Sequence, residues 1–243
     1  MGIIAVIAVV CAYLVKGMCG FANTLVFSTI MSFTTNNITI SPIELIVGYP
    51  ANFLMAWKER KSISAKICLP LSALVILGSI PGALFLKNGD THLIKLLFGF
   101  VVVLIGIEMF IREYHNGKEK SSPVILIILG VLSGILCGLF GIGALLAAYV
   151  SRTTDNISAF RGNICIVFLV ENSFRIILYS IIGIINFEVF KSALILIPFM
   201  LAGLFGGMLL AKIVSEKIVK NIVIMLLILS GLSLIINSIS VFR

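Results

Sequence analysis

The feature that most constrains this chain is its succession of long apolar runs. A helix of about 20 mostly apolar residues crosses the hydrocarbon core of a bilayer. Because backbone polar groups in lipid must be bonded within the structure, only helices and closed barrels cross it, and runs this long exclude a barrel. The runs lie at residues 2–33, 43–57, 67–86, 93–111, 124–150, 162–183, 192–211 and 221–241. The sequence therefore predicts an all-α integral membrane protein with about eight transmembrane helices.

Composition agrees with this prediction. Of the residues, 60% are hydrophobic and 12% are charged, whereas about a quarter are charged in ordinary soluble domains. The formal net charge is +8, and Lys and Arg collect mainly in short connectors. This pattern sets membrane orientation, so we predict the lipid bilayer as a partner and no nucleic-acid binding. The apolar N-terminus lacks a basic lead and a small-residue cleavage site, so we expect it to remain as the first span.

The sequence gives no sign of an enzyme, a cofactor or a metal site. It contains no His-Glu-x-x-His, no Gly-x-Ser-Gly and no phosphate-binding loop. The five cysteines lie in or beside apolar segments without paired close spacing, which predicts free thiols. They are Cys11, Cys19, Cys68, Cys137 and Cys165. We assign no catalytic role to His92, Glu108 or His115.

The two halves of the chain resemble each other. At a shift of 121 residues, Gly17 to Gly20 fall on Gly138 to Gly141. A shift of 125 matches several glycine, leucine and lysine pairs, namely Gly78 with Gly203, Gly82 with Gly207, Leu84 with Leu209, Lys87 with Lys212, Lys95 with Lys220 and Gly106 with Gly231. We predict a single membrane domain of two pseudo-symmetric four-helix repeats, 1–118 and 119–243. An even number of spans in each repeat predicts that the repeats run parallel.

The first and fifth runs are too long for one ordinary crossing and contain glycine-rich segments, Lys16 to Asn23 and Gly134 to Gly143. We predict that both helices are broken there. A helix that restarts within the membrane presents free N–H groups and partial positive charge, which suits an anion. The alternative is that these glycines only allow close helix packing, which is the interpretation we prefer for the glycines of the third and seventh runs.

Several polar residues near these breaks are candidates for substrate binding. Lys16 either faces a wet cavity or extends its ammonium to an interface. Glu171 and Arg175 share one helix face, as a coupling element for an oxyanion or as a structural ion pair. Arg161 either draws anions into a mouth or anchors the helix at the interface. The full set of candidates is Lys16, Gly17, Cys19, Gly20, Asn23, Gly138, Gly141, Gly143, Arg161, Asn163, Glu171, Asn172 and Arg175.

The distribution of basic residues bears on sidedness. The side that holds both termini and the even-numbered loops has nine, and the other side has seven. The nine are Lys58, Arg60, Lys61, Lys66, Arg112, Lys118, Lys120, Lys191 and Arg243; the seven are Lys87, Lys95, Arg152, Arg161, Lys212, Lys217 and Lys220. The positive-inside rule thus favours both termini in the cytoplasm by a small margin.

The glycine-rich breaks, together with Pro70, Pro198 and the Phe160-Arg161 start of the sixth run, resemble the sulfite exporter TauE/SafE family over essentially the whole chain. The resemblance implies a bacterial or archaeal permease of two four-span halves in the cytoplasmic membrane. It also implies transport of small anions, commonly sulfur oxyanions or organosulfonates.

We therefore expect a secondary transporter for a small anion such as sulfite, working by alternating access between the halves. Because the sequence has no ATP-binding motif, ion gradients or the membrane potential would drive it, and both proton and sodium coupling are open. A homo-oligomer is compatible with the sequence. Two alternatives are a non-transporting membrane subunit and a passive anion channel.

Overall fold

The computed structural model describes residues 2–31, 37–88 and 122–239, together with 96, 99–100, 102–104, 106–107 and 110–111. Within these residues the regular structure is helical. The helices are α1 (Ile3–Cys19), α2 (Asn23–Met31), α3 (Asn37–Lys58), α4 (Ala65–Asn88), α5 (Pro123–Phe140), α6 (Ala144–Thr153), α7 (Ile157–Ile181), α8 (Phe187–Ile213) and α9 (Glu216–Ile239), with a 3-10 turn at Arg60–Ser62. The predicted fourth span, 93–111, lies largely outside the described residues.

The helices are apolar on their outer surfaces. Three segments of the described chain are long and apolar enough to cross a membrane, Ala65–Leu84, Ile157–Ile181 and Phe187–Ile213, and α1 and α5 are shorter apolar helices. Large side chains such as Leu69, Ile181 and Phe187 are exposed, whereas several charged side chains are buried. A soluble protein has the opposite distribution. The prediction of an all-α membrane protein is confirmed, and the number of eight spans stays a prediction.

Asparagines define the starts of two of these helices. The Asn156 side chain accepts a hydrogen bond from the Ala159 N–H at 2.8 Å, and Asn186 accepts one from the Val189 N–H at 2.9 Å. Each bond satisfies a backbone donor that has no partner within the first turn. The starts of α7 and α8 are therefore encoded locally.

Glycines allow two helix pairs to pack with their backbones in contact. In the α1–α8 pair, a Cβ placed on Gly17 would lie 2.9 Å from the Gly207 carbonyl carbon. In the α4–α5 pair, a Cβ on Gly82 would lie 3.1 Å from the Gly138 Cα. Close approach of this kind is the role of small residues in membrane helix packing. The packing interpretation of Gly78, Gly82, Gly203 and Gly207 is confirmed.

The two glycine interfaces have the same residue pattern. A Cβ on Gly203 would meet the backbone of Val10, and a Cβ on Gly78 would meet the backbone of Val131. The residues in these two contacts are related by the same shifts that relate the two halves of the sequence. Val131 follows Val10 by 121 positions, and Gly203 follows Gly78 by 125. Helices α3 and α7 pack between these pairs, and the Tyr49 and Ser173 hydroxyls join them at 3.1 Å.

Candidate functional site

Both predicted helix breaks are present. Helix α1 ends at Cys19, and Gly20 follows with φ 93°, its N–H donating to the Lys16 carbonyl at 2.7 Å. Helix α5 ends at Phe140, and Gly141 follows with φ 70°, its N–H donating to the Cys137 carbonyl at 2.8 Å. Left-handed glycine caps of this kind end a helix without the steric cost of a Cβ. After each break the chain turns and starts a new short helix, α2 after the first break and α6 after the second.

Five charged side chains are buried among the described residues, and all of them lie around the two breaks. They are Lys16, Glu44, Arg161, Glu171 and Arg175. A single charge in the middle of a membrane helix costs about 2.5–3.5 kcal/mol on insertion scales. Such a group persists where partners or a function compensate for that cost, and the partners are described below.

Lys16 lies at the end of α1 and is 1% exposed. Its Nζ donates to Asn23 Oδ1 at 2.9 Å, across the first break, and lies 5.2 Å from the centre of the Phe168 ring. In this conformation the ammonium therefore neither reaches an interface nor faces open water, unlike either interpretation of the sequence. An amide oxygen and an aromatic face hold it inside the protein.

Glu44, in α3, is the functional candidate that the sequence analysis missed. Its carboxylate is 3% exposed and accepts hydrogen bonds from the Tyr13 hydroxyl, at 3.3 Å, and from the Asn23 amide. It also interacts electrostatically with Arg175 and Lys16. The sequence contains a signal for it, since Glu44 is a lone carboxylate within the second apolar run. An acid inside a membrane segment is a functional candidate by default.

Arg175 closes the second break. One of its Nη atoms donates to the Cys137 carbonyl at the end of α5, the other donates to Asn172 Oδ1 at 3.5 Å, and Nε lies 3.5 Å from Glu171 Oε1. Glu171 and Arg175 thus form an ion pair along one face of α7, and its role in substrate coupling stays a prediction. A Cβ on Gly141 would lie 3.1 Å from the Arg175 guanidinium, so the absence of a side chain at this position makes room for the arginine.

The two breaks meet in the centre of the described structure. A Cβ on Gly141, in the second break, would lie 3.3 Å from Thr24 in the first turn of α2. The Phe168 ring contacts Gly143 at the second break and Lys16 at the first. The predicted site residues that come together here are Lys16, Asn23, Gly141, Gly143, Glu171, Asn172 and Arg175, and Glu44 joins them.

Arg161 lies beside the first break and is largely buried. Its side chain is 7% exposed and donates from Nη2 to the Met18 carbonyl near the end of α1. A Cβ on Gly20 would lie 2.9 Å from the Arg161 Cγ. Cys19 is buried and interacts electrostatically with the Arg161 guanidinium. The guanidinium thus complements the partial negative charge of a helix C-terminus. The two predicted roles of Arg161, at a mouth for anions or as an interfacial anchor, stay predictions.

Gly17, Gly138 and Asn163 have packing or tethering roles in the structure. The two glycines are helical and contact the backbones of α8 and α4, so the packing alternative describes them. Asn163 Oδ1 accepts from the Ser64 N–H at 2.8 Å, and Nδ2 donates to the Ala159 carbonyl at 2.7 Å. Asn163 therefore fixes the start of α4 to α7.

Interrupted helices that meet around buried charges, inside an apolar helical bundle, define a membrane transport protein. The chain belongs to the sulfite exporter TauE/SafE family, whose model matches residues 5–234. The resemblance seen in the sequence is thus confirmed. Members of this family are transporters and not enzymes. Comparisons with curated proteins and with solved structures found no match.

Proposed function

We propose that this protein is a secondary transporter that moves a small anion, a sulfur oxyanion or organosulfonate such as sulfite, across the cytoplasmic membrane of a bacterium or archaeon. The observation that carries the proposal is the sign of the buried charge. Among the described residues, three of the five buried charged side chains are cations and two are carboxylates, an excess of one positive charge. In a low-dielectric interior, that excess favours an anion over a cation.

The proposed binding site lies between the two breaks. Arg175 offers a planar donor fork that matches an oxyanion, and Lys16 offers a compact positive charge. The N-termini of α2 and α6 add partial positive charge from two directions. Asn23 and Asn172 are the amide side chains nearest these cations and complete the set.

Two parallel four-span repeats, 1–118 and 119–243, are the architecture that we propose for the single membrane domain. The mirrored glycine contacts support it, because shifts of 121 and 125 map the α4–α5 interface onto the α1–α8 interface. Each repeat then supplies one broken helix to the site. Alternating access would expose the site between the breaks to each side of the membrane in turn.

The first test is flux into proteoliposomes that contain the purified protein. Sulfite, thiosulfate, sulfate, a sulfonate and a carboxylate are compared, with and without a proton gradient or a sodium gradient. We expect saturable flux of a sulfur-containing anion. Conductance that does not saturate would indicate a passive channel, and folded protein without flux or anion-dependent stabilisation would indicate a non-transporting subunit.

A second test addresses the site. Lys16→Ala and Arg175→Ala are each expected to weaken anion binding, while Lys66→Ala, which removes an exposed lysine in α4, leaves it unchanged. Binding is measured as anion-dependent thermal stabilisation of folded protein. Unchanged affinity in both site variants would place the anion elsewhere.

A further inference from the structure

Glu44 stands out among the buried groups because it already occupies the place that suits an anion. Its carboxylate is bonded to Asn23, the first residue of α2, and interacts electrostatically with Lys16 and Arg175. These are the groups assigned above to the substrate. A negatively charged group of the protein therefore lies among the donors that an incoming anion needs.

The local packing holds Glu44 in this place. The Tyr13 hydroxyl donates to the same carboxylate oxygen as the Asn23 amide. A Cβ on Gly48, one helical turn along α3, would lie 3.3 Å from Glu44 Oε1 and 3.2 Å from the Tyr13 oxygen. The absence of a side chain at Gly48 thus leaves the space in which the carboxylate and the phenol meet.

We propose that Glu44 is a tethered carboxylate that fills the anion site when substrate is absent, and that substrate displaces it while it takes up one proton. This inference rests on the proposed function. An ionised Glu44 carboxylate beside the bound anion would be repelled by that anion, whereas the protonated, neutral Glu44 would not. The loaded carrier then holds one anion and one proton, and the empty carrier holds the Glu44 carboxylate.

The charge balance follows from this exchange. Binding of a monoanion adds one negative charge, and protonation of Glu44 removes one, so the total charge of the site is unchanged. The anion and the proton cross together, and Glu44 releases its proton when it returns to the site on the far side. The expected coupling is one proton for each monoanion moved in the same direction, without net charge movement.

Other titratable groups surround Glu44 and set the design of the test. Glu171 is the second buried carboxylate and interacts electrostatically with Glu44. A protonation of Glu171 in place of Glu44 is the competing assignment. The titratable and charged groups that interact with Glu44 from the neighbouring helices are Tyr13 and Lys16 from α1, Cys137 from α5, and Glu171 and Arg175 from α7.

The test compares sulfite binding by wild type and Glu44→Gln at one mildly acidic and one mildly alkaline pH. Glutamine keeps the shape and polarity of the protonated acid and has no charge with which to compete. We expect the ratio of wild-type Kd to variant Kd to rise with pH. If Glu44 fills the site in nine of ten wild-type molecules at alkaline pH, the variant binds about tenfold more tightly there. Both proteins meet the same sulfite species at each pH, so ionisation of sulfite cancels in the ratio.

Proton movement gives the second readout. A pH-sensitive dye inside proteoliposomes is expected to report one proton for each monoanion carried by wild type, and none for Glu44→Gln, which still exchanges labelled sulfite. Glu188→Gln, an exposed acid at the start of α8, is the control and should behave as wild type. Tyr13→Phe removes one donor to Glu44 and keeps the carboxylate, so it should tighten sulfite binding less than Glu44→Gln does.

The outcomes separate this inference from the proposed function. If wild type carries sulfite and the Kd ratio stays constant with pH, the role of Glu44 is overturned while the transporter remains. Loss of proton movement in Glu171→Gln but not in Glu44→Gln also overturns it. If Glu44→Gln does not fold, a Tyr13→Phe protein with wild-type affinity at both pH values overturns it. If wild type neither binds nor carries any anion of the panel, the proposed function fails, and this inference fails with it.

Discussion

Buried charges in this protein are held by specific partners, as the pair formed by Glu171 and Arg175 shows. The guanidinium donates hydrogen bonds to a helix end and to an amide, and it forms an ion pair with the Glu171 carboxylate at 3.5 Å. Removing one member of a buried pair leaves the other uncompensated, whereas removing both does not. A double-mutant comparison therefore separates the structural role of the pair from its role in transport.

We predict that Arg175→Met lowers the free energy of unfolding by about 3–5 kcal/mol, because Glu171 is left buried without its cation. The double variant Glu171→Gln/Arg175→Met should recover part of that loss. Unfolding in detergent measures both. If Arg175 also binds substrate, the double variant folds but does not transport; a double variant with wild-type flux would make the pair structural only.

Asn163 offers the opposite case, a predicted site residue whose contacts hold helices together. Asn163→Ala removes its hydrogen bonds to Ser64 and Ala159 and is expected to lower stability by about 1–3 kcal/mol. Anion affinity of the folded protein should not change. Thermal unfolding and sulfite-dependent stabilisation are measured on the same sample, and weaker binding at full stability would return Asn163 to the site.

At the scale of elements, the two broken helices depend on backbone conformations that only a few positions adopt. Gly20 and Gly141 have positive φ values, where a Cβ costs roughly 1–2 kcal/mol. At Gly141 an added side chain would also press on Arg175. The break and the placement of the arginine are therefore encoded by one glycine.

We predict that Gly141→Ala lowers stability by about 1–2 kcal/mol through its left-handed conformation and also weakens anion binding by shifting Arg175. Gly206→Ala is the matched control, because a Cβ on this glycine of α8 meets nothing within 4 Å. Its stability should equal or exceed that of wild type, because alanine favours a helix more than glycine does, and its flux should equal that of wild type. Equal effects in the two variants would contradict the role of the break, and Gly20→Leu and Gly141→Leu should block transport.

The sequence predicted the breaks and the placement of Glu171 and Arg175 on one helix face, but not the other partners of the buried charges. Excess length and glycine content are local properties, so the positions near Gly20 and Gly141 could be found. The contacts between Glu44 and Tyr13, or between Asn163 and Ser64, join residues far apart in the chain and depend on the packing of whole helices. Gly17 and Gly138 are among the predicted site residues because the sequence alone does not distinguish a glycine that interrupts a helix from a glycine that packs two helices together.

At the scale of the whole molecule, the glycine interfaces determine which helices can move together. Helix α1 contacts α8, and α4 contacts α5, so each interface joins helices from different predicted repeats. Backbone contacts this close are stabilised by dense van der Waals packing. The bodies that rock in transport are therefore expected to be α1 with α8 and α5 with α4, rather than the halves as divided along the chain.

The same interfaces predict how a divided protein behaves. Fragments 1–118 and 119–243 each leave uncovered the glycine faces that the other fragment packs against. We expect neither fragment alone to give a stable, anion-binding protein, and co-expression to restore both stability and flux. Co-purification of differently tagged fragments measures reassembly. A fragment that folds and binds sulfite alone would contradict a single membrane domain.

Contacts that cross between the predicted repeats also bear on the origin of the chain. If the repeats arose by duplication, the half-length ancestor covered its glycine faces with a second copy of itself, as a two-fold homodimer. In such a dimer every side chain at the centre occurs twice, so a single ammonium could not exist there. At a shift of 121 the counterpart of Lys16 is Cys137, a thiol in place of an amine. Under this hypothesis, fusion of two copies would have allowed the centre to become asymmetric, with a lysine from one copy and an arginine from the other.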